Sequence, residues 1–372
     1  MALGEYISNP DLRWGSDPEV FVVDGDGEIL PSWKFLPKKE EAKPYTRHER
    51  DFGVSAFTDG FQAECVGFGG RSCLQLIVYE IRIGLQNILN EARKHHLASE
   101  FTHENTPIVK KDHLENEPME NVMLGCSPSH NVYGLMGDFP GNPRKLKYRF
   151  AGGHIHISGF HHPDRIERYV KTLDKIVGIY FVAAAAGIDN PIRRKYYGQA
   201  GEYRKPKWGL EYRALSNAWL IHPAVAHLAF ILSRGAINLV DADLDKLIPF
   251  GDELTIETIN NCDVDFARKI VNANKDLLTA IFMNGIRYYP YRIYLPGRTV
   301  GTLPAQKKGL FTLVEKGILN FIPDVHNWGK NWCLNQPEWP EECDKGSHEW
   351  RLLCPKLFPE TLSVSVPAIV AV

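Results

Sequence analysis

The chain has no excess of charge of one sign: 43 lysines and arginines stand against 45 aspartates and glutamates. Without a strong overall field, no membrane association is expected, and nucleic acid is not expected as a direct partner. No Cys-x-x-Cys pair occurs. The seven cysteines, at 65, 73, 126, 262, 333, 343 and 354, are odd in number and scattered. This argues against a disulfide scaffold and a zinc ribbon, and fits a reducing cytoplasm. Cys333, Cys343 and Cys354 gather near the C-terminus, where His348 would be the fourth metal ligand, but gaps of about ten residues are not finger spacing. Long hydrophobic runs are missing too. The longest, residues 176–188, falls short of the roughly 20 residues that a bilayer span needs. The N-terminus lacks the basic-then-apolar order of a signal peptide. A soluble protein is expected. Internal repeats, low-complexity segments, a Gly-x-x-x-x-Gly-Lys phosphate loop and a kinase signature are all absent.

What is present suits a globular protein: 372 residues with 44% hydrophobic content, enough for one large domain or two ordinary ones. Residues 18–24 (PEVFVVD) read as a strand closed by the turn Asp24-Gly25-Asp26-Gly27. Residues 34–49 are polar and charged and read as a loop. Its lysines can meet phosphates, although a solvated run is the plainer reading. A turn at Asp59-Gly60 leads into a second strand, and Leu74, Ile77, Ile81, Leu85, Ile88 and Leu89 recur at helical spacing over 72–96, with Ser72 as a candidate cap. Loops are expected around 125–129 and 138–147. Residues 150–159 (FAGGHIHISG) read as a strand and 163–187 as a helix. Residues 193–204 read as a basic, glycine-bearing loop able to wrap polyphosphate. Helices are expected over 224–239 and 270–283. Residues 287–298 (RYYPYRIYLPGR) read as a proline-broken edge segment. Trp328, Trp332, Trp339 and Trp350 mark an irregular aromatic tail, and 362–372 an edge strand or partner contact.

Four of these strands present polar side chains on one face, because residues two apart along a strand point the same way. The pairs are Asp17 with Glu19, Gln62 with Glu64, His154 with His156, and Glu211 with Arg213. Two adjacent carboxylates repel unless a cation or proton lies between them. A carboxylate and a guanidinium on one face can bind a cation and the phosphate it neutralises, although a salt bridge on a solvated sheet is the plainer reading of that spacing alone. Mostly oxygen donors with few nitrogens favour Mg2+ or Mn2+ over Zn2+. An α+β fold follows: a curved antiparallel sheet of about six strands with the site on its concave face and helices packed behind. Residues 1–240 are expected to form the core that carries the site. Residues 241–372 are either a C-terminal part of the same domain or a helical, irregular extension.

The motifs GSDPEVFV (15–22), DGFQAE (59–64), GCSP (125–128), GGHIHI (152–157), RRKYYGQAGEYR (193–204) and WGLEYRALSN (208–217) resemble the phage-type carboxylate–amine ligases, type 2, of the glutamine synthetase and glutamate–cysteine ligase superfamily. The resemblance covers roughly residues 13 to 235. It implies a glutamine synthetase-like fold and an ATP-dependent, ADP-forming ligase that joins a carboxylate to an amine through an acyl phosphate. Carried across, it makes Asp17, Glu19, Glu64, His154 or His156, and Glu211 the metal ligands for Mg2+ or Mn2+. Arg213 faces the transferred phosphate, and Arg193, Arg194 and Arg204 grip phosphate or the substrate carboxylate; Glu211, Arg204 and Arg213 are the catalytic group. Asp17 stands where the superfamily commonly has Glu, and residues 31–44 are lysine-rich without the usual glycine. The implied partners are a small-molecule or peptide carboxylate, an amine or ammonia from a glutaminase, and further copies of the chain, in the host cytoplasm if the protein is phage-encoded. Two other classes fit the same residues: a hydrolase with zinc on the His154/His156 pair, and a non-catalytic binding protein on the same fold.

Overall fold

The computed structural model describes residues 9, 11–46, 53–67, 70–71, 74–124, 129–138, 141–286, 303–322, 325–332 and 334. Ser72, the 125–128 motif, the 287–298 segment, Cys333, Cys343, His348, Cys354, Trp339, Trp350 and the 362–372 tail lie outside the described residues.

The architecture is α+β with antiparallel pairing throughout the described strands. The strands are β1 Arg13–Gly15, β2 Glu19–Val20, β3 Val22–Val23, β4 Ile29–Leu30, β5 Tyr45–Thr46, β6 Gly53–Asp59, β7 Gln62–Gly67, β8 Glu100–Phe101, β9 His130–Asn131, β10 Ile155–Ser158, β11 Glu202–Arg204 and β12 Leu210–Tyr212. In place of one sheet of about six strands there are three. Their orders are β1-β10-β12-β11-β9, β2-β7-β6-β5 and β4-β3-β8. The single strand expected over 18–24 therefore divides at Phe21, and the chain from β1 to β3 enters all three sheets in turn. Phe21 is wholly buried in a small cluster with Phe61, Val109, Leu114, Val122 and Ala151, which anchors the crossover. The first two sheets are joined where Pro18 bridges Gly153 and Gly152 bridges Ser216; the Glu19 amide donates to the Gly152 carbonyl at 3.1 Å. Gly153 is required there, since a Cβ would stand 2.9 Å from the Ser216 carbonyl oxygen and would collide with Nε1 of the Trp219 ring.

Behind the five-stranded sheet lies the core. Ile155, Ile157, Leu210 and Tyr212, the alternate residues of β10 and β12, are buried against it. The helix Pro223–Asp241 is buried along nearly its whole length and packs against Leu74–His95, Ile166–Leu173 and Lys275–Ile286. By length and composition it could cross a membrane, but it lies inside the protein, as expected for a core helix. The helix expected over 163–187 is present with a π-helical turn at Asp174–Gly178 between Ile166–Leu173 and Ile179–Ala184. The helix expected over 270–283 is two, Val264–Ala273 and Lys275–Ile286, interrupted at Asn274.

The expected loop over 193–204 is a correction. It contains the helix Pro191–Tyr196 and strand β11. Asn190 caps the helix by accepting from the Ile192 amide at 2.9 Å, and Pro191 occupies its first turn. This Asn-Pro start is a helix-initiation signal that the basic composition obscured.

Candidate active site

Register places the functional side chains. His156 of β10 stands opposite Glu211 of β12, which stands opposite Arg204 of β11, so one face carries His156, Glu211 and Arg204 in a row. Arg213 follows on the same face and donates to the Glu211 carboxylate, as does Arg204 at 3.3 Å. In the second sheet Glu19 of β2 pairs directly with Glu64 of β7. Two buried glutamates opposite one another repel unless a proton or a cation relieves them. Asp17 lies in the link between β1 and β2, where the two sheets meet. Its carboxylate is 2.8 Å from His154 Nδ1 and 3.1 Å from His156 Nε2. Ligand atoms of Asp17, His156 and Glu211 all lie within 4.8 Å of one another, close enough to hold one ion.

Between the sheets opens a cavity of about 360 Å3. Asp17, Glu19, Asp59, Glu64 and His154 line it together with Arg204 and Arg213. Lys38, Lys39, Glu40, Glu120 and Asn121, more open to solvent, also line it. The lysine segment is held by Ser32, whose hydroxyl donates to the Gln62 carbonyl at 2.7 Å, and by the Thr58 amide, which donates to the Pro37 carbonyl at 2.9 Å. Lys39 thereby reaches within 3.5 Å of Glu64 and lies over the Phe57 ring. Lys38 meets Glu120 at 3.0 Å, an exposed pair of small energetic worth.

Burial and mutual repulsion distort the acids. Asp59 is pushed up to about 7 by burial and by the charges of Glu19 and Asp17, against the pull of Lys39 and of the Gln62 amide. Glu64 is driven well above the carboxylate range by burial and by Asp17, Asp59 and Glu19. Asp17 goes the other way. Burial pushes it up, but the His154 and His156 imidazoles outweigh burial and hold it well below its ordinary value. His156 is raised: burial opposes its charge, and Asp17 and Glu211 overcome that. The carboxylates Asp17, Glu19, Asp59, Glu64 and Glu211 thus stand among Arg204, Arg213, Lys39 and His156, with Glu211 and His156 beside the cavity lining and in reach of it through Asp17, Arg204 and Arg213. These donors, five carboxylates and an imidazole, suit a hard divalent cation.

His154 and His156 share a strand face but differ in use. Both ring nitrogens of His154 are engaged, Nδ1 with Asp17 and Nε2 with the Tyr197 hydroxyl, and only His156 belongs to the three-residue ligand group. Arg193 and Arg194 stand behind the site and do not line the cavity. Arg193 donates to the carbonyls of Ala151 and Leu215 at 3.1 and 2.8 Å, and Arg194 to those of Gly198 and Ala214 and to Asp189. Their guanidiniums bind the chain itself, in place of the loop that would have offered them to a ligand. Sequence reasoning passed over Asp59, Tyr197 and Glu202. Asp59 had a signal, because the two-residue turn Gly60-Phe61 makes it the cross-strand partner of Gln62 and sets it on the face of Glu64. Glu202 takes the amides of Gly198 and Gln199 at 2.6 and 3.0 Å and faces Arg213 Nε at 3.6 Å. Nothing in the local pattern marks it or Tyr197.

The antiparallel α+β fold thus gathers carboxylates and arginines around one cavity. Residues 139–280 match the family model described as phage phiEco32-like COOH.NH2 ligase-type 2, which bears out the resemblance carried by the motifs and supports a ligase activity. The matched span contains His154, His156, Arg204, Glu211 and Arg213, while Asp17, Glu19, Asp59 and Glu64 precede it. No curated protein matches the chain.

Proposed function

We propose that the protein is an ATP-dependent, ADP-forming carboxylate–amine ligase on a glutamine synthetase-like sheet. In the first step a substrate carboxylate oxygen attacks the γ-phosphorus of ATP, and ADP leaves. In the second the amine nitrogen attacks the acyl carbon, phosphate leaves, and an amide forms. The observation that carries this reading is the meeting of Asp17, Glu19, Asp59 and Glu64 with two arginines in one cavity. Asp17, Glu19, Asp59, Glu64, His156 and Glu211 would hold Mg2+ or Mn2+, which supplies charge neutralisation on the phosphates. Arg204 and Arg213 supply guanidinium donors to the transferred phosphoryl group and its equatorial oxygens. Lys39, which lines the cavity and is exposed, adds a positive charge for an incoming anion. Arg193 and Arg194 are given no nucleotide role here, because both are buried, bind the chain's own carbonyls and Asp189, and do not line the cavity. The engagement of both His154 nitrogens also counts against a hydrolase built on the His154/His156 pair. The substrates are a small-molecule or peptide carboxylate and an amine, the latter free or supplied as ammonia by a glutaminase, and the chain assembles with copies of itself.

The test is ADP release from ATP and Mg2+ with pooled carboxylates and amines. ADP formation that needs both pools and is lost in Glu211→Gln is the expected result. Zn2+-dependent hydrolysis of amides without nucleotide would replace this reading by the hydrolase.

A further inference from the structure

Tyr197 follows the helix Pro191–Tyr196 and is almost wholly buried, so it offers nothing to a ligand directly. Its hydroxyl nevertheless sits between two of the acids. It donates to Glu19 Oε1 at 2.9 Å and meets Nε2 of His154, whose Nδ1 lies 2.8 Å from Asp17 Oδ1. Glu19, Tyr197, His154 and Asp17 therefore stand in one row of polar contacts, continuous as a hydrogen-bonded chain when both ring nitrogens of His154 carry a proton. Its far end is also fixed, because Glu19 Oε2 accepts from the Gly152 amide at 2.6 Å. The tyrosine ring is itself held between two guanidiniums, with Arg193 at 4.7 Å and Arg213 at 5.2 Å from its centroid.

We infer that Tyr197 is a positioning residue that, through this hydrogen-bonded chain, locks the carboxylates of Glu19 and Asp17 in one geometry for a divalent cation. The inference rests on the ligase reading's assignment of those acids as metal ligands. Partners that orient ligands in this way set metal affinity without touching the ion. Glu19 is a flexible side chain beside other acids, and repulsion would swing it away from them. With both its oxygens hydrogen-bonded it is held at the site, so little ordering entropy remains to be lost when a cation arrives. His154 is then an orienting group and His156 the imidazole that faces the ion.

The experiment is titration of the full chain with Mn2+ alone, free Mn2+ being read by electron paramagnetic resonance. It is run on wild type, Tyr197→Phe, His154→Asn and the double variant, with melting in EDTA as a folding control. Tyr197→Phe keeps the ring and its guanidinium contacts and removes only the hydroxyl. It should weaken Mn2+ binding by about 10- to 100-fold, in the usual range for an orienting partner. His154→Asn should weaken it comparably, and the double variant no more than the weaker single one, because one chain is cut in each. Wild-type affinity in Tyr197→Phe, or losses that multiply in the double variant, would overturn the inference while leaving the metal site standing. If Tyr197→Phe does not fold, wild-type affinity in His154→Asn overturns it equally. A wild type that binds no Mn2+ would instead sink the metal assignment on which the inference rests.

Discussion

Asp59 closes strand β6 inside the cavity, where burial, Glu19 and Asp17 push its carboxyl up to about 7 from an ordinary 3.8. Such a group penalises folding in a defined pH window. Below about pH 4 it is protonated in both states and has no effect. As pH rises from about 4 to about 7 the unfolded chain gives up the proton and the folded one keeps it, so stability falls; above about 7 the penalty is constant. A shift of about three units corresponds to at most about 4 kcal/mol, at about 1.4 kcal/mol per unit. Asp59→Asn removes the charge and retains an oxygen able to accept from Gln62 Nε2, now 3.2 Å away. In EDTA the variant should therefore be more stable than wild type at pH 8, by about 1 to 4 kcal/mol, and equal to it at pH 4. Urea unfolding followed by tryptophan fluorescence at the two pH values measures the gap. Adding Mn2+ at pH 8 should narrow or reverse it, since a ligand that binds only the folded state stabilises the chain that binds it better. A gap that does not change between pH 4 and pH 8, or a wild type that is more stable at pH 8 in EDTA, would refute the reasoning.

Arg194→Met should cost about 3–5 kcal/mol in urea unfolding, because it takes the cationic partner from the buried Asp189 carboxylate, leaving it only the Asn105 amide, and a donor from two carbonyls. The folded fraction should bind nucleotide as wild type does, which separates this arginine from Arg213. Gly153→Ala should lower stability by about 1–3 kcal/mol, since its methyl enters the contact with Trp219 and Ser216 where two sheets join. Thermal melting reads this directly.

Much of the site was legible because it is written in period-two alternation. The pairs His154/His156 and Glu211/Arg213 needed only a strand to bring them together, whereas Asp17 joins Glu19 from the link ahead of β2, and Ile155, Ile157, Leu210 and Tyr212 marked the opposite, buried face. The long amphipathic helix Leu74–His95 and the apolar helix Pro223–Asp241 were legible from spacing and composition. What local pattern could not supply was partner choice. That residues 13–23 serve three sheets depends on Phe21 finding a separate cluster, and Arg193 and Arg194 look like surface cations until the carbonyls they satisfy are known. Tyr197 is equally silent, since its partners lie 43 and 178 residues away. The close packing of Gly235 and Gly285, each set against the other helix's backbone, likewise follows from tertiary approach and not from propensity.

The central claim is that the acids and arginines of the cavity bind a nucleotide through a divalent cation. Its most direct test is calorimetric titration of a non-hydrolysable ATP analogue into the protein with Mg2+ and, separately, with EDTA, repeated on Glu64→Gln. Saturable binding with Mg2+, absent in EDTA and weakened at least about tenfold in the variant, is the predicted result; one unit of log affinity is about 1.4 kcal/mol, less than a buried charged contact is worth. Equal affinity in EDTA, or no binding of the analogue under either condition, would contradict the account.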